Sequence, residues 1–199
     1  MLRNLSVLWL AFWLSGPSGA ETPIIRQHQI GSVSIGQSAQ SVYEAFDPDH
    51  RRLVDLSLEG FLSPALELTL PGSKRRAGVV AELEARGNRL VVSRISITDP
   101  MARTEKGIGV GSTVADLRAA YPVIKVSEGE RAIMLRLDEL SASFGLGESS
   151  AGGDWVIRVR ELKDIPGTVK IAAVLLTRCE LANLPLQPTS GADGTDYSA

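Results

Sequence analysis

Cysteine is almost absent from this 199-residue chain, and its single thiol, Cys179, has no second one with which to close an intrachain disulfide. Stability must therefore come from packing. Histidine is nearly as scarce: with only His28 and His50, a histidine-rich metal site cannot be built. Aromatic residues make up 5 % of the chain, and Trp155 is the only tryptophan beyond the first twenty residues. Phe46, Phe61, Phe144, Tyr43, Tyr121 and Tyr197 complete that set, which is poor material for a sugar-binding platform of exposed rings. Charge of one sign is lacking too, since 21 Lys and Arg face 23 Asp and Glu for a net −2. That balance points to neither nucleic acid nor anionic lipid as a partner.

Long apolar runs are missing beyond the amino terminus. Even Ile171 to Leu176 is bounded by Lys170 and Arg178, far short of the ~20 residues a membrane helix needs. The first twenty residues differ. Arg3 precedes an apolar stretch from Leu5 to Leu14, and the small residues Ser18, Gly19 and Ala20 follow, which predicts a signal peptide over 1–20 cleaved after Ala20. The stretch is too short to span about 30 Å of hydrocarbon, and Gly16-Pro17 would break a longer helix. The expected location is periplasmic or secreted, with no transmembrane segment after signal cleavage.

Alternating patterns predict strands at 53–58, 65–70, 79–85 and 90–98, with the turn Arg86-Gly87-Asn88-Arg89 making a hairpin of the last two. Two short helices are predicted, each opened by a hydroxyl residue after a glycine. In Ser38 to Phe46 the residues Ala39, Val42, Tyr43 and Phe46 share a face; after Thr113, which can cap with Asp116 three residues on, Val114, Leu117, Ala120 and Tyr121 do so. Pro48 and Pro122 stop them. Laid over each other, the segment from Ser34 to Phe46 and that from Gly109 to Tyr121 align without a gap, so the pattern predicts a duplication. The second copy would carry strands at 123–126, 131–137, 140–144, 155–160 and 168–177, with a flexible loop at 147–154. The expected fold class is α+β, as two tandem helix-plus-antiparallel-sheet repeats at 21–100 and 101–180, ahead of a disordered tail at 181–199.

Candidate chemistry is thin. Gly107-Ile108-Gly109-Val110-Gly111-Ser112 before a helix has the look of a phosphate loop, but it lacks the lysine of one nucleotide motif and the glycine spacing of the other. A sharp strand-to-helix turn explains it better, because Gly36 occupies the same place in the other segment. Asp47, Asp49 and His50 form the only polar cluster of catalytic types, and their spacing matches no calcium loop. They read as the solvated end of the first helix. No G-x-S-x-G occurs. Cys179, at the end of the last predicted strand, reads as a buried thiol, with an intermolecular disulfide as the alternative. The basic turns Arg51-Arg52 and Lys74-Arg75-Arg76 read as solvated hairpin ends.

Three stretches carry a family resemblance: Gly31 to Phe46, the hairpin return Val92 to Asp99, and Thr104 to Thr113 with Asp116-Leu117. Over roughly 29–145 the chain resembles the sigma-E-regulated lipoproteins of the enterobacterial envelope, a family built around a domain of unknown function. It departs from them in having no cysteine near the signal region to acylate, which implies a free rather than lipid-anchored protein. The tandem pattern is also similar to that of the secreted β-lactamase inhibitor proteins, which bind a partner across a concave sheet. The function expected is therefore that of a non-enzymatic exported envelope protein, a protein-binding or envelope-stress-related module with another envelope protein as its partner, and no catalytic residue, cofactor or metal ligand is assigned. The alternatives are a periplasmic hydrolase using paired carboxylates drawn from Asp47, Asp49 and Asp99, or a small-ligand carrier with an apolar cavity between two sheets.

Overall fold

A computed structural model describes residues 22–58, 61–128, 133–147, 159 and 161–178. The expected signal peptide, Cys179 and the tail lie outside these, as do most of the expected 147–154 loop and all of the expected 155–160 strand except Val159. Three short strands come first, β1 (Ile24–Arg26), β2 (Gln29–Ile30) and β3 (Val33–Ser34), then helix α1 (Ala39–Glu44) and the hairpin pairs β4 (Arg51–Leu58) with β5 (Phe61–Leu68) and β6 (Val79–Arg86) with β7 (Arg89–Ile97). After β8 (Arg103–Thr104) come helix α2 (Val114–Ala120), β9 (Lys125–Glu128), β10 (Ile133–Leu137), β11 (Ala142–Leu146) and β12 (Ile171–Thr177).

Local chemistry explains the elements. Gly87-Asn88 joins β6 to β7 with Gly87 at φ 60°, a left-handed angle that glycine adopts without steric cost. Ser38 caps α1 by accepting the N–H of Ser41 at 3.1 Å. A full capping box opens α2: Thr113 Oγ1 accepts the Asp116 N–H at 3.1 Å, and Asp116 Oδ2 accepts the Thr113 N–H at 2.8 Å. These bonds hold the Asp116 carboxyl below its ordinary value of 3.8, the backbone N–H of Thr113 contributing most.

Four of the short strands make a small sheet in the order β3-β2-β1-β8, and the other eight make one continuous sheet in the order β4-β5-β6-β7-β12-β11-β10-β9. This corrects the expected α+β class with its two tandem helix-plus-antiparallel-sheet repeats. The protein is β-rich. Among the described residues its two α-helices have six and seven residues, too few to build a layer of their own. The expected pair of large sheets is a single one, because β7 and β12 pair antiparallel with Ile97 opposite Val174 and Ile95 opposite Leu176. The small sheet also joins the two ends of the supposed boundary, since β1 pairs in parallel with β8.

The two glycine turns do dock alike. Gly36 (φ 87°) donates its N–H to Val92 O and Gly111 (φ 90°) to Ile171 O, so α1 leaves from β7 and α2 from β12, the two central strands. Both helices and the small sheet then cover one face of the large sheet. Ile25, Val42, Phe46, Val114, Leu117 and Tyr121 pack into one buried cluster with the inward residues of the strands, among them Leu68, Ile95, Leu135, Phe144 and Val174. Fully burying an aliphatic or aromatic side chain of this kind is favourable by about 1.5–3 kcal/mol, which is what substitutes for the missing disulfides. Among the described residues no helix is long and apolar enough to cross a membrane.

Candidate functional site

The polar cluster at the end of α1 is built by a 3-10 turn, Pro48–His50, whose proline sets the first turn. His50 Nδ1 stands 3.8 Å from Asp47 Oδ2, with side chains 45 % and 84 % exposed. That is too long for a hydrogen bond and well screened by water. His50 lies between two clefts. One, of about 410 Å³, is lined by Arg26, Phe46, Asp47, His50, Leu70 and Pro71 among others; the next, of about 390 Å³, by Asp49, His50, Arg52, Glu67, Thr69 and Arg76 among others. Among the described residues no three His, Cys, Asp or Glu side chains converge as a metal site would need.

Asp99 lies elsewhere. It is fully buried, Oδ1 accepts the Met101 N–H at 2.9 Å, and the N–H groups of Thr98 and Asp99 both donate to Gly78 O. It closes the turn after β7 and lines a third cleft with Lys74 and Arg75. The three carboxylates of the paired-carboxylate reading thus border three different clefts, Asp47 the first, Asp49 the second and Asp99 the third.

Five of the six amides in the glycine loop before α2 are committed within the chain. Gly107 N–H donates to Thr104 O, Ile108 N–H to Thr104 Oγ1, Gly109 N–H to Ser112 Oγ, Gly111 N–H to Ile171 O and Ser112 N–H to Gly109 O. Gly109 is there for space: a Cβ on it would stand 2.2 Å from the Ala102 carbonyl oxygen and 2.6 Å from Arg103 Nη1.

The broadest feature is one that strand patterns could not assemble. On the large sheet's other face a single row crosses all eight strands: Arg52, Glu67, Val80, Ser96, Leu175, Ser143, Arg136, Lys125. Its four middle members are uncharged, and the adjoining row Ala173, Gly145, Met134, Ser127 extends that small and apolar centre. The charges of this row sit at its two ends, one further ion pair lies beside its middle on β6 and β7, and all of them are neutralised within the sheet. Arg52 pairs with Glu67, and in the next row Arg94 Nη2 meets Glu82 Oε2 at 2.7 Å. At the far end Asp138 takes Lys125 and Arg136 together, and the Lys125 hydrogen bond holds its carboxyl below the ordinary value. Among the described residues the two helices and the small sheet all contribute to the core on the opposite side.

A β-rich chain with one wide sheet, a small second sheet and two brief helices on one face is the class that this geometry defines. It is shared with a solved structure, the uncharacterized protein YfeY from Escherichia coli, at a TM-score of 0.55 and 16 % sequence identity over 78 % of this chain and 99 % of that one. At that identity the likeness is one of fold. No family model matches the chain, and no curated protein does.

Proposed function

We propose that the protein is a non-enzymatic, exported envelope protein that binds another envelope protein across the face of its large sheet that the described helices and small sheet leave uncovered. One observation carries the reading: a row in continuous register over eight strands, uncharged in its middle, with the charges at its ends and the Arg94–Glu82 pair beside it neutralised internally. A surface of that kind gives a partner flat, small-residue contact at the centre and a polar rim, the division of labour usual at protein interfaces. Export rests on the leader, with Arg3, the apolar core and Ala20 in the order a signal peptidase requires.

The test is affinity capture from envelope extract with the wild-type protein beside Leu175→Arg, a change that puts a charge at the centre of the face while leaving the core untouched. The expected result is a stoichiometric partner retained by the wild type and lost by the variant. Recovery of no partner at any salt, or equal recovery by both proteins, would refute it. Export is checked separately by the mass of the protein recovered from the periplasmic or extracellular fraction, which should begin at Glu21.

A further inference from the structure

Strand β4 ends the large sheet, and its outer edge has no neighbour among the described residues. Thr69 N–H donates to His50 O, and Pro64, which has no N–H to give, lies opposite Asp55. Antiparallel alternation from these two points turns the peptide groups of Arg52, Val54 and Leu56 toward β5, and those of Arg51, Leu53, Asp55 and Ser57 to the open side. The edge is also unsupported at its far end. Only Ala65 to Leu68 of β5 pair with β6, so beyond Ala65 the hairpin continues as two strands, an arrangement of marginal stability in water. Leu62 is 72 % exposed at that far end, and Leu53, opposite Leu66 in the three-stranded part, is 61 % exposed on the edge strand itself.

The side chains along this edge complement themselves. Arg51, Leu53 and Asp55 point to one face and read as cation, apolar, anion. Among the described residues neither charge has an opposite-charge partner: Arg51 stacks on the Tyr43 ring at 3.9 Å and donates Nη1 to the Tyr43 carbonyl, and no ion pair includes Asp55. A strand with these properties is a template for pairing with another chain.

We infer that β4 pairs antiparallel with β4 of a second copy about a twofold axis at Leu53, joining the two large sheets edge to edge. In this register Leu53 faces its own counterpart, Arg51 faces the partner's Asp55, and Asp55 faces the partner's Arg51. Backbone alternation permits sliding by two residues, but charge does not favour it. One slide sets Arg52 opposite the partner's Arg52; the other leaves Leu53 opposite the partner's Asp55 and Arg51 opposite the partner's Ser57. The contact is isologous and closes, so it ends at a dimer and does not grow into a fibre. It leaves the open sheet face unoccupied and is independent of the function proposed above.

A cysteine at position 53 tests the register directly. In a hydrogen-bonded antiparallel pair the two Cα atoms are about 5.5 Å apart, inside the roughly 4.4–6.8 Å range a disulfide accepts. The two copies of position 55 would lie four residues out of step, roughly 13–14 Å apart. In a Cys179→Ser background, Leu53→Cys should give a covalent dimer under mild oxidation at least about tenfold faster than Asp55→Cys. Sedimentation of the wild type should show a dimer that Asp55→Arg weakens by about tenfold or more, through two like-charged cross-strand pairs, and that Arg51→Asp with Asp55→Arg restores. A wild type that stays monomeric at the highest attainable concentration overturns the inference. So does a dimer that cross-links no faster through position 53 than through 55, as strand addition from an unrelated protein or a different interface would give.

Discussion

Replacing Gly109 by alanine separates the two reasons a glycine can be needed in the loop before α2. The new Cβ would stand 2.2 Å from the Ala102 carbonyl oxygen, about 1 Å inside an ordinary contact, and that oxygen belongs to the backbone of a fully buried residue that cannot swing aside. Overpacking of this kind costs about 1–3 kcal/mol. Displacing Arg103 adds to it, because its Nη1 donates to Ala102 O at 3.2 Å and to Val110 O at 2.9 Å, each bond contributing about 1 kcal/mol. The total is about 3–5 kcal/mol, or on the order of 10 °C in Tm for a chain of this size. Gly107 and Gly111 differ, with φ of 79° and 90° and no heavy atom within 4 Å of an added Cβ. Alanine there meets only left-handed strain, about 1–2 kcal/mol. Urea unfolding followed by circular dichroism should therefore rank Gly109→Ala as the most damaging of the three. A Gly109→Ala protein as stable as the wild type, or less affected than Gly107→Ala, would refute the packing argument.

Other outcomes follow from the same geometry. Phe144→Ala, which empties a fully buried site in the middle of the core, should cost about 3–5 kcal/mol in the same assay, whereas Leu62→Ala, 72 % exposed, should stay within about 0.5 kcal/mol. Thr113→Ala removes the cap of α2 and should cost about 1 kcal/mol. Because the Asp116 carboxyl titrates lower in the folded protein than its ordinary 3.8, its contribution is complete above that pH and lost as pH falls through the folded value. Asp116→Asn should accordingly be less stable than wild type at neutral pH and converge with it in strong acid; a gap that persists below the folded value would contradict the capping role.

Much of the local structure is legible in the sequence. Gly87-Asn88 between two alternating runs announces the β6–β7 hairpin, and Ser38, Thr113 and Asp116 announce where helices begin, because turn and cap chemistry depends on residues a few positions apart. The longer-range architecture is not legible in the same way. That β7 and β12 pair is decided by residues some eighty positions apart, Ile97 with Val174, and no periodicity records which edge meets which. The small sheet escaped for another reason: strands of two residues, such as β8, show no alternation at all. The candidate site divides likewise. Asp47, Asp49 and His50 could be found as neighbours in the chain, but their placement in different clefts from Asp99, and the eight-strand row itself, arise only when the strands are in register.

Because β12 is the last described strand to be synthesised and lies at the middle of the large sheet, between β7 and β11, the chain cannot complete its fold from the front. Until residues 171–177 arrive, β7 and β11 each keep a bare edge, and the turns at Gly36 and Gly111 meet different fates, the first able to settle on β7 and the second still lacking Ile171. An unfinished polypeptide therefore stays open through its carboxyl-terminal half and shuts only once that final strand is in place between its two neighbours.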